Sequence, residues 1–186
     1  MMNTYLGRHY ACVAKNFRIL LDDRNVTEVI GVHTQGRSND DVEELFIKKQ
    51  HCRYLPLNVG AHFKNLEVLY VMNSNLQQLI DGDLDGLTKL NNFDVSHNPI
   101  EQLGKNFFVG HSSITVISFY DCHLKHIDPQ ALAPLTNLEE AHFQQNVCID
   151  LKADDDFLMP NLRRTIANSC KESESEVLNR HDSKKL

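Results

Sequence analysis

A repeat of 24 residues constrains the fold of this chain more than any other feature of its sequence. Apolar residues recur with this spacing at Val42, Leu66, Leu90, Ile114 and Leu138. A fixed period of this length is the signature of a solenoid, in which each unit buries its apolar side only against its neighbours. The sequence therefore predicts stacked units, with a cap at each end of the stack.

The units also share an internal pattern, L-x-x-L-x-L-x-x-N-x-L. Two consecutive units read Leu66, Leu69, Val71, Ser74, Leu76 and then Leu90, Phe93, Val95, Asn98, Ile100. The pattern resembles the consensus of leucine-rich repeats over residues 42–150. The alternating apolar pair predicts a short strand in each unit, and stacked strands make a parallel sheet. At the Asn98 position, a side-chain amide can hydrogen-bond the buried backbone of neighbouring turns.

The predicted fold is an α/β leucine-rich-repeat solenoid. A short curved parallel sheet forms its concave side, and irregular, 3-10 or helical turns form its convex side. Two further apolar rows at the repeat period predict the core beneath the convex side: Leu55, Leu79, Leu103, Ile127 and Leu84, Phe108, Leu132. We divide the chain into an N-terminal cap at 1–41, repeats at 42–147, a C-terminal cap at 148–170 and a polar, disordered tail at 171–186.

Short strands and one helix are predicted for the two caps. The N-terminal strands are expected where every second residue falls on the same side of the chain, at Tyr10, Cys12, Ala14 and at Glu28, Ile30, Val32. After the repeats, a helix is predicted from near Pro160 to Cys170, with Leu162 and Ile166 on its inward side. A disulfide between Cys148 and Cys170 would clamp that helix over the open end of the core.

The residues around the cap cysteines resemble secreted insect leucine-rich-repeat proteins. The resemblance rests on Asn146-Val147-Cys148-Ile149 before the cap helix, on Tyr10-Ala11-Cys12 and on the loop at residues 38–42. It implies an extracellular protein with a role in innate immunity, extracellular matrix or cell-surface signalling. Those relatives carry a signal peptide and an earlier cysteine. The resemblance therefore leaves the partner of Cys12 open between Cys52, in a possible disulfide, and a residue absent from this chain.

Two features of the sequence point to different compartments. The N-terminal residues lack the apolar segment of a secretory signal, which by itself predicts a cytoplasmic protein. The five cysteines lie mainly near the ends of the repeats and favour an oxidising compartment. We expect a secreted protein whose leader is missing from this sequence, as in a truncated gene model. Asn25-Val26-Thr27 then fits an N-glycosylation site at Asn25.

Other functional classes lack support in the sequence. A net charge of -6 without a long basic run disfavours nucleic acid as a partner, and no apolar stretch is long enough to span a membrane. The ten histidines are scattered, and His123 with His126 has a poor spacing for zinc, so we expect no metal site. No nucleophile has an evident base, and no glycine-rich loop could cradle a phosphate. We therefore expect neither an enzyme nor a bound cofactor.

The candidate site is the outward side of the predicted strands, on the concave side of the solenoid. Core packing does not require apolar residues there, yet the pattern projects several of them outward. The residues expected to bind a protein partner are Phe46, Val68, Tyr70, Met72, Asp94, Val116, Ser118, Tyr120 and His142. The leading hypothesis is an extracellular recognition module for a protein partner. The alternatives are an intracellular adaptor or regulatory subunit with every thiol reduced, and a homodimer formed through concave faces or sheet edges.

Overall fold

The repeats stack their strands into one long sheet. The computed structural model describes residues 2–6, 9–16, 18–19, 23–155 and 157–171. Its strands, in chain order, are β1 (Met2–Leu6), β2 (His9–Val13), β3 (Arg18–Ile19), β4 (Glu44–Lys48), β5 (His51–Cys52), β6 (Val68–Met72), β7 (Asn92–Asp94), β8 (Gln102–Leu103), β9 (Val116–Ser118), β10 (His126–Ile127), β11 (Glu140–His142) and β12 (Lys152–Ala153). The helical elements are a 3-10 turn at Asn39–Asp41, α1 (Val59–His62) and α2 (Met159–Ser169).

Within the described residues, one sheet contains eight strands in the order β1-β2-β4-β6-β7-β9-β11-β12. The neighbours from β2 to β11 are parallel, whereas β1 and β12 run antiparallel at the two edges. The period of the sequence sets the register, because Leu69 lies opposite Leu45 on one side and Phe93 on the other, each 24 residues away. The parallel-strand repeat solenoid predicted from the sequence is therefore confirmed.

The core lies between this sheet and the turns of the opposite side. Both predicted apolar rows are buried there, except that Leu79 is only partly buried. Aromatic rings fill the middle of the stack: Phe93 packs against Phe107 with 5.7 Å between ring centroids, and Phe119 stacks on Phe143 at 5.3 Å. Two turns also touch through their backbones, since a Cβ atom at Gly60 would lie 2.3 Å from the carbonyl oxygen of Gly86.

The asparagine position of the repeat connects each turn to the one before it. The Oδ1 atom of Asn98 accepts hydrogen bonds from the backbone N–H groups of Ser74 at 2.9 Å and Leu76 at 3.0 Å. Its Nδ2 group donates to the carbonyl oxygens of Val71 at 2.6 Å and Val95 at 2.8 Å. One side chain thus satisfies buried backbone groups of two repeats, as the sequence analysis predicted for this position. Asn146 repeats the arrangement two intervals further on, accepting from the backbone N–H groups of Cys122 and Leu124.

The N-terminal cap contains a degenerate repeat unit that the 24-residue period does not reveal. Cys12 of β2 lies opposite Leu45, and Ile19 of β3 lies opposite Cys52, an offset of 33 residues in both pairs. Asn16 has a positive φ of 53°, matching the φ of 56° at Lys49, also 33 residues later. The cap therefore copies the path of a repeat, with nine more residues (33 against 24) before the next unit begins.

The prediction of a second strand in the N-terminal cap, at residues 28–32, is wrong. Residues 26–31 have no regular secondary structure, and Val32 forms only an isolated bridge. The alternation of apolar residues does not mark burial here, because Ile30 is 75% exposed and Val32 is 84% exposed. These residues belong to the extra length of the degenerate unit. The loop that follows enters the first repeat through a capping box between Ser38 and Asp41.

A helix follows the last repeat, over nearly the residues predicted for it. In α2, Met159, Leu162 and Ile166 are buried. Arg163 donates from Nη1 to the carbonyl oxygen of Leu132 at 2.9 Å, which fixes the helix against the last of the turns opposite the sheet. The predicted disordered tail lies, apart from its first residue, outside the described residues.

The five cysteines are in two different oxidation states. Cys148 and Cys170 form the predicted disulfide, with their Cα atoms 5.0 Å apart. Cys12, Cys52 and Cys122 are buried thiols. The pairing considered for Cys12 with Cys52 is therefore not formed. The reason is positional, since Cys12 lies in the eight-stranded sheet opposite Leu45, whereas Cys52 lies in the separate pair of β3 and β5.

Candidate functional site

The sheet projects three columns of side chains away from the core. The register aligns Phe46, Tyr70, Asp94, Ser118 and His142 in the middle column. One flanking column contains Glu44, Val68, Asn92, Val116 and Glu140. The other begins with Lys48 opposite Met72, and Tyr120 lies at its equivalent position two repeats later. We call this outward surface the exposed sheet face, and it contains every residue predicted for partner binding.

The N-terminal half of the exposed sheet face is aromatic and apolar. The rings of Phe46 and Tyr70 stack with their centroids 4.6 Å apart and their planes 17° from parallel. Phe46, Tyr70 and Met72 are half-buried, so each keeps part of its side chain accessible. Val68, by contrast, is only 7% exposed, lying between Glu44 and Asn92 in its column. Val68 supports this surface and offers little area of its own to a partner.

The middle of the face is polar and internally hydrogen-bonded. The Oδ1 atom of Asp94 accepts from the backbone N–H of Ser96 at 2.8 Å and from its hydroxyl at 2.5 Å. The Ser96 hydroxyl also lies 2.8 Å from the hydroxyl of Ser118. Asp94 and Ser118 were predicted as site residues, but Ser96, which is buried and holds both, was not. The sequence did offer a signal for Ser96, because it lies one 24-residue interval after Met72 and one before Tyr120, in the same outward column.

The C-terminal end of the face carries two side-chain pairs, each of which includes a carboxyl group. His142 Nε2 lies 3.2 Å from Glu140 Oε2, and Lys152 of β12, opposite His142, lies 2.9 Å from Asp154 Oδ2 through its Nζ atom. Lys152 and Asp154 lie after the last repeat, so the 24-residue pattern could not align them with the site. Hydrogen bonding to Lys152 keeps the pKa of Asp154 below its usual value.

Electrostatics distinguish the aromatic half. Burial raises the pKa of the Tyr70 hydroxyl, and the charges of Glu44 and Asp94 raise it further. Burial is also the main reason that the pKa of Glu44 is raised. Tyr70 is thus an un-ionised hydroxyl between two carboxyl groups, beside an apolar ring. This arrangement suits a partner group that combines apolar surface with a hydrogen-bond donor or a positive charge.

Tyr120 lies further along the face, beside a histidine–aspartate pair. The rings of Tyr120 and His97 meet edge to face, with 5.2 Å between centroids. His97 Nδ1 lies 3.0 Å from Asp121 Oδ2. In the described residues, no group of three or more His, Cys, Asp or Glu side chains is placed to hold a metal ion. No helix among these residues is long and apolar enough to cross a membrane.

The sequon asparagine lies away from the exposed sheet face. Asn25 is exposed and forms a parallel bridge with Leu57, which follows the buried Leu55 in the part of the first repeat that lies opposite the sheet. Its Oδ1 atom accepts a hydrogen bond from Asn58 at 2.9 Å. A glycan on Asn25 would therefore leave the exposed sheet face open.

The fold and its open face define the chain as a leucine-rich-repeat-like solenoid. No family model matches the sequence, and no curated protein matches it. Among solved structures, the chain is similar to Toll in a structure described as the Toll–Spatzle complex, a molecular hub in Drosophila development and innate immunity. The match has a TM-score of 0.55 and 22% sequence identity, and covers 58% of this chain. The chain spans 15% of the length of that relative, and the likeness is one of fold.

Proposed function

We propose that this chain is an extracellular repeat module that recognises a protein partner through its exposed sheet face and has no catalytic activity. The observation that carries the proposal is the stacked pair of Phe46 and Tyr70 on the outward side of the sheet. The core does not need these rings, because the inward positions of the same strands are already filled by Leu45 and Leu69. Half-buried aromatic residues that face solvent are typical of binding hot spots.

The proposed extracellular location is supported by covalent chemistry and by the similar fold. A disulfide between Cys148 and Cys170 persists in oxidising compartments and is rare in the cytosol. The similar protein, Toll, was solved in complex with another protein, Spatzle, in a setting of development and innate immunity. A role in innate immunity, extracellular matrix or cell-surface signalling extends that likeness to this chain. An occupied glycan at Asn25 fits the same compartment.

The partner's contact surface follows from the two halves of the face. The Phe46–Tyr70 pair and Met72 would bury an apolar group of the partner. Glu44 and Asp94, which flank Tyr70 electrostatically, favour a partner that is neutral or basic at that point. The hydrogen-bonded middle of the face would add specificity more than affinity.

The test is a screen followed by a matched pair of variants. The purified chain is screened against displayed secreted and cell-surface ectodomains from its own organism, and the dissociation constant of each hit is then measured. Phe46→Ala with Tyr70→Ala should weaken binding about 30-fold, as loss of a hot spot of roughly 2 kcal/mol would do. Phe157→Ala also removes an aromatic ring, 88% exposed but outside the face, and should change nothing. Equal affinities for the double variant and the wild type would refute the proposal.

The alternative is an intracellular adaptor that uses the same face. The three buried thiols are the observation that favours it, since they need no oxidising environment. Mass mapping of the protein from its native source separates the two locations. The extracellular proposal predicts a crosslinked peptide pair containing Cys148 and Cys170, whereas the adaptor requires five free thiols.

A further inference from the structure

A basic patch borders the exposed sheet face, where the first repeat leaves its strand. We define the basic patch as Arg18, Lys48, Lys49, His51 and Arg53, all of which have exposed side chains. The patch brings four Lys and Arg residues together, although the chain as a whole has a net charge of -6. Such a local excess of positive charge raises the concentration of anions at that part of the surface.

The fold brings two arginines together from distant parts of the sequence. The parallel pairing of β3 with β5 places Arg18 beside His51, while their neighbours Ile19 and Cys52 are buried. The backbone N–H of Arg53 donates to the carbonyl oxygen of Ile19 at 3.2 Å, which holds Arg53 next to the same pair. Neighbouring strands are about 4.8 Å apart, so one anionic group can reach side chains from both.

In the part of the chain that the structure describes, neither Arg18 nor Arg53 forms an ion pair with a carboxylate. The next repeat presents the neutral side chains of Asn75 and Gln77 alongside. Together with Arg18, His51 and Arg53, they line an open cleft of about 470 Å³. Guanidinium groups with neutral hydrogen-bonding neighbours suit the oxygens of sulfate or phosphate esters.

We propose that this basic patch binds a sulfated glycan chain. The cations extend from Lys48 around the turn to Arg53 and across to Arg18, so they match a polymer with spaced anionic groups better than one small ion. Nucleic acid fits less well, because single-stranded recognition uses exposed aromatic rings for base stacking. The aromatic ring beside Arg53 belongs to Tyr54, which is only 6% exposed, and the accessible rings of Phe46 and Tyr70 are not part of the basic patch.

The experiment measures fluorescence anisotropy of a labelled heparin-derived octasaccharide with the full chain at about 0.15 M salt. Arg18→Gln with Arg53→Gln should raise the dissociation constant about ten-fold or more, because the charge-assisted hydrogen bonds of both guanidinium groups to sulfate oxygens are lost. Lys89→Gln with Lys105→Gln removes the same charge from exposed positions elsewhere and should change it less than about two-fold. Equal losses in the two double variants would overturn the assignment of the site.

Three further arms test the ligand class and guard against misfolding. The desulfated octasaccharide should not bind, and equal binding would contradict the role of sulfate. A DNA oligonucleotide that bound as tightly as the octasaccharide would overturn the choice of glycan. In the wild-type protein, the octasaccharide should protect Lys48 and Lys49 from acetylation but leave Lys89 and Lys105 reactive, and uniform protection would count against the patch. Phe46→Ala with Tyr70→Ala should leave glycan binding unchanged, so the result stands apart from that for the protein partner.

Discussion

Replacing Asn98 with leucine tests whether the asparagine position holds the repeats together. Asn98→Leu keeps a similar shape but removes the acceptor of the N–H groups of Ser74 and Leu76, and the donor to Val71 and Val95. These groups are buried, so water cannot replace the side chain. Each buried donor left without an acceptor costs about 1–3 kcal/mol. With two donors stranded, we expect a loss of about 3–5 kcal/mol in the free energy of unfolding.

The assay is thermal and urea unfolding followed by circular dichroism. For a chain of this size, 3 kcal/mol corresponds to a fall in Tm of roughly 6–12 °C. The matched control is Asn137→Ala, in which an exposed amide that donates to the carbonyl oxygen of Ser112 at 2.9 Å is removed. It should cost less than about 1 kcal/mol. If the two variants lose the same stability, the buried amide does not link the turns as described here.

Three other predictions concern single sites. Gly60→Ala places a Cβ atom 2.3 Å from the Gly86 carbonyl oxygen and should lower the free energy of unfolding by more than about 2 kcal/mol. The control Gly104→Ala, whose new Cβ atom has its nearest contact at 3.9 Å, should lower it by less than about 1 kcal/mol. Equal losses in the two variants would contradict the close approach of Gly60 to Gly86. Burial lowers the pKa of His111, so its contribution to stability is present above the unfolded value near 6.5 and is lost as pH falls through the folded value. The urea midpoint should therefore fall between pH 7.5 and 5.5 more steeply in the wild type than in His111→Gln, and parallel profiles would refute this. Burial raises the pKa of Cys12 to about 11 and of Cys52 and Cys122 to about 12, which leaves about one thiolate in a thousand or fewer at pH 8. Iodoacetamide should then label no cysteine in the native protein and three after unfolding without reductant, and native labelling would contradict the buried positions.

The central part of the fold could be predicted because one physical rule repeats there. An apolar pair such as Leu69 and Val71 alternates along a strand, and the fixed period carries the same register into every unit. The outward columns follow from that register without further information. The Cys148–Cys170 disulfide was also predictable, since both residues bracket a helix that must cover the end of the stack.

The N-terminal cap could not be predicted in the same way. Its inward positions include Cys12, Ala14 and Ile19, which do not spell the repeat consensus, and the 33-residue offset differs from the period. Ile30 alternates with its neighbours as strand residues do, but nothing in the sequence shows that it lies in an insertion exposed to solvent. The basic patch depends on this same cap, because Arg18 joins Arg53 only through the pairing of β3 with β5.

The repeat pattern also could not predict the burial of Val68 or the hydrogen bonds among Asp94, Ser96 and Ser118. A two-residue alternation says which side of the sheet a side chain occupies, but not how far its neighbours shield it. Val68 points outward with Tyr70, yet only Tyr70 keeps an accessible part. The candidate site is therefore limited to those predicted residues whose side chains remain accessible to solvent.

Hydroxyl-radical footprinting of the unmodified chain, alone and bound to the partner found by the ectodomain screen, tests the recognition surface most directly. Aromatic and sulfur-containing side chains report strongly in this measurement, and the exposed sheet face presents Phe46, Tyr70, Met72 and Tyr120. We expect oxidation of these four residues to fall on binding, while oxidation of Phe157, outside the face, does not change. Protection confined to Phe157 or to the turns opposite the sheet would contradict recognition through the exposed sheet face.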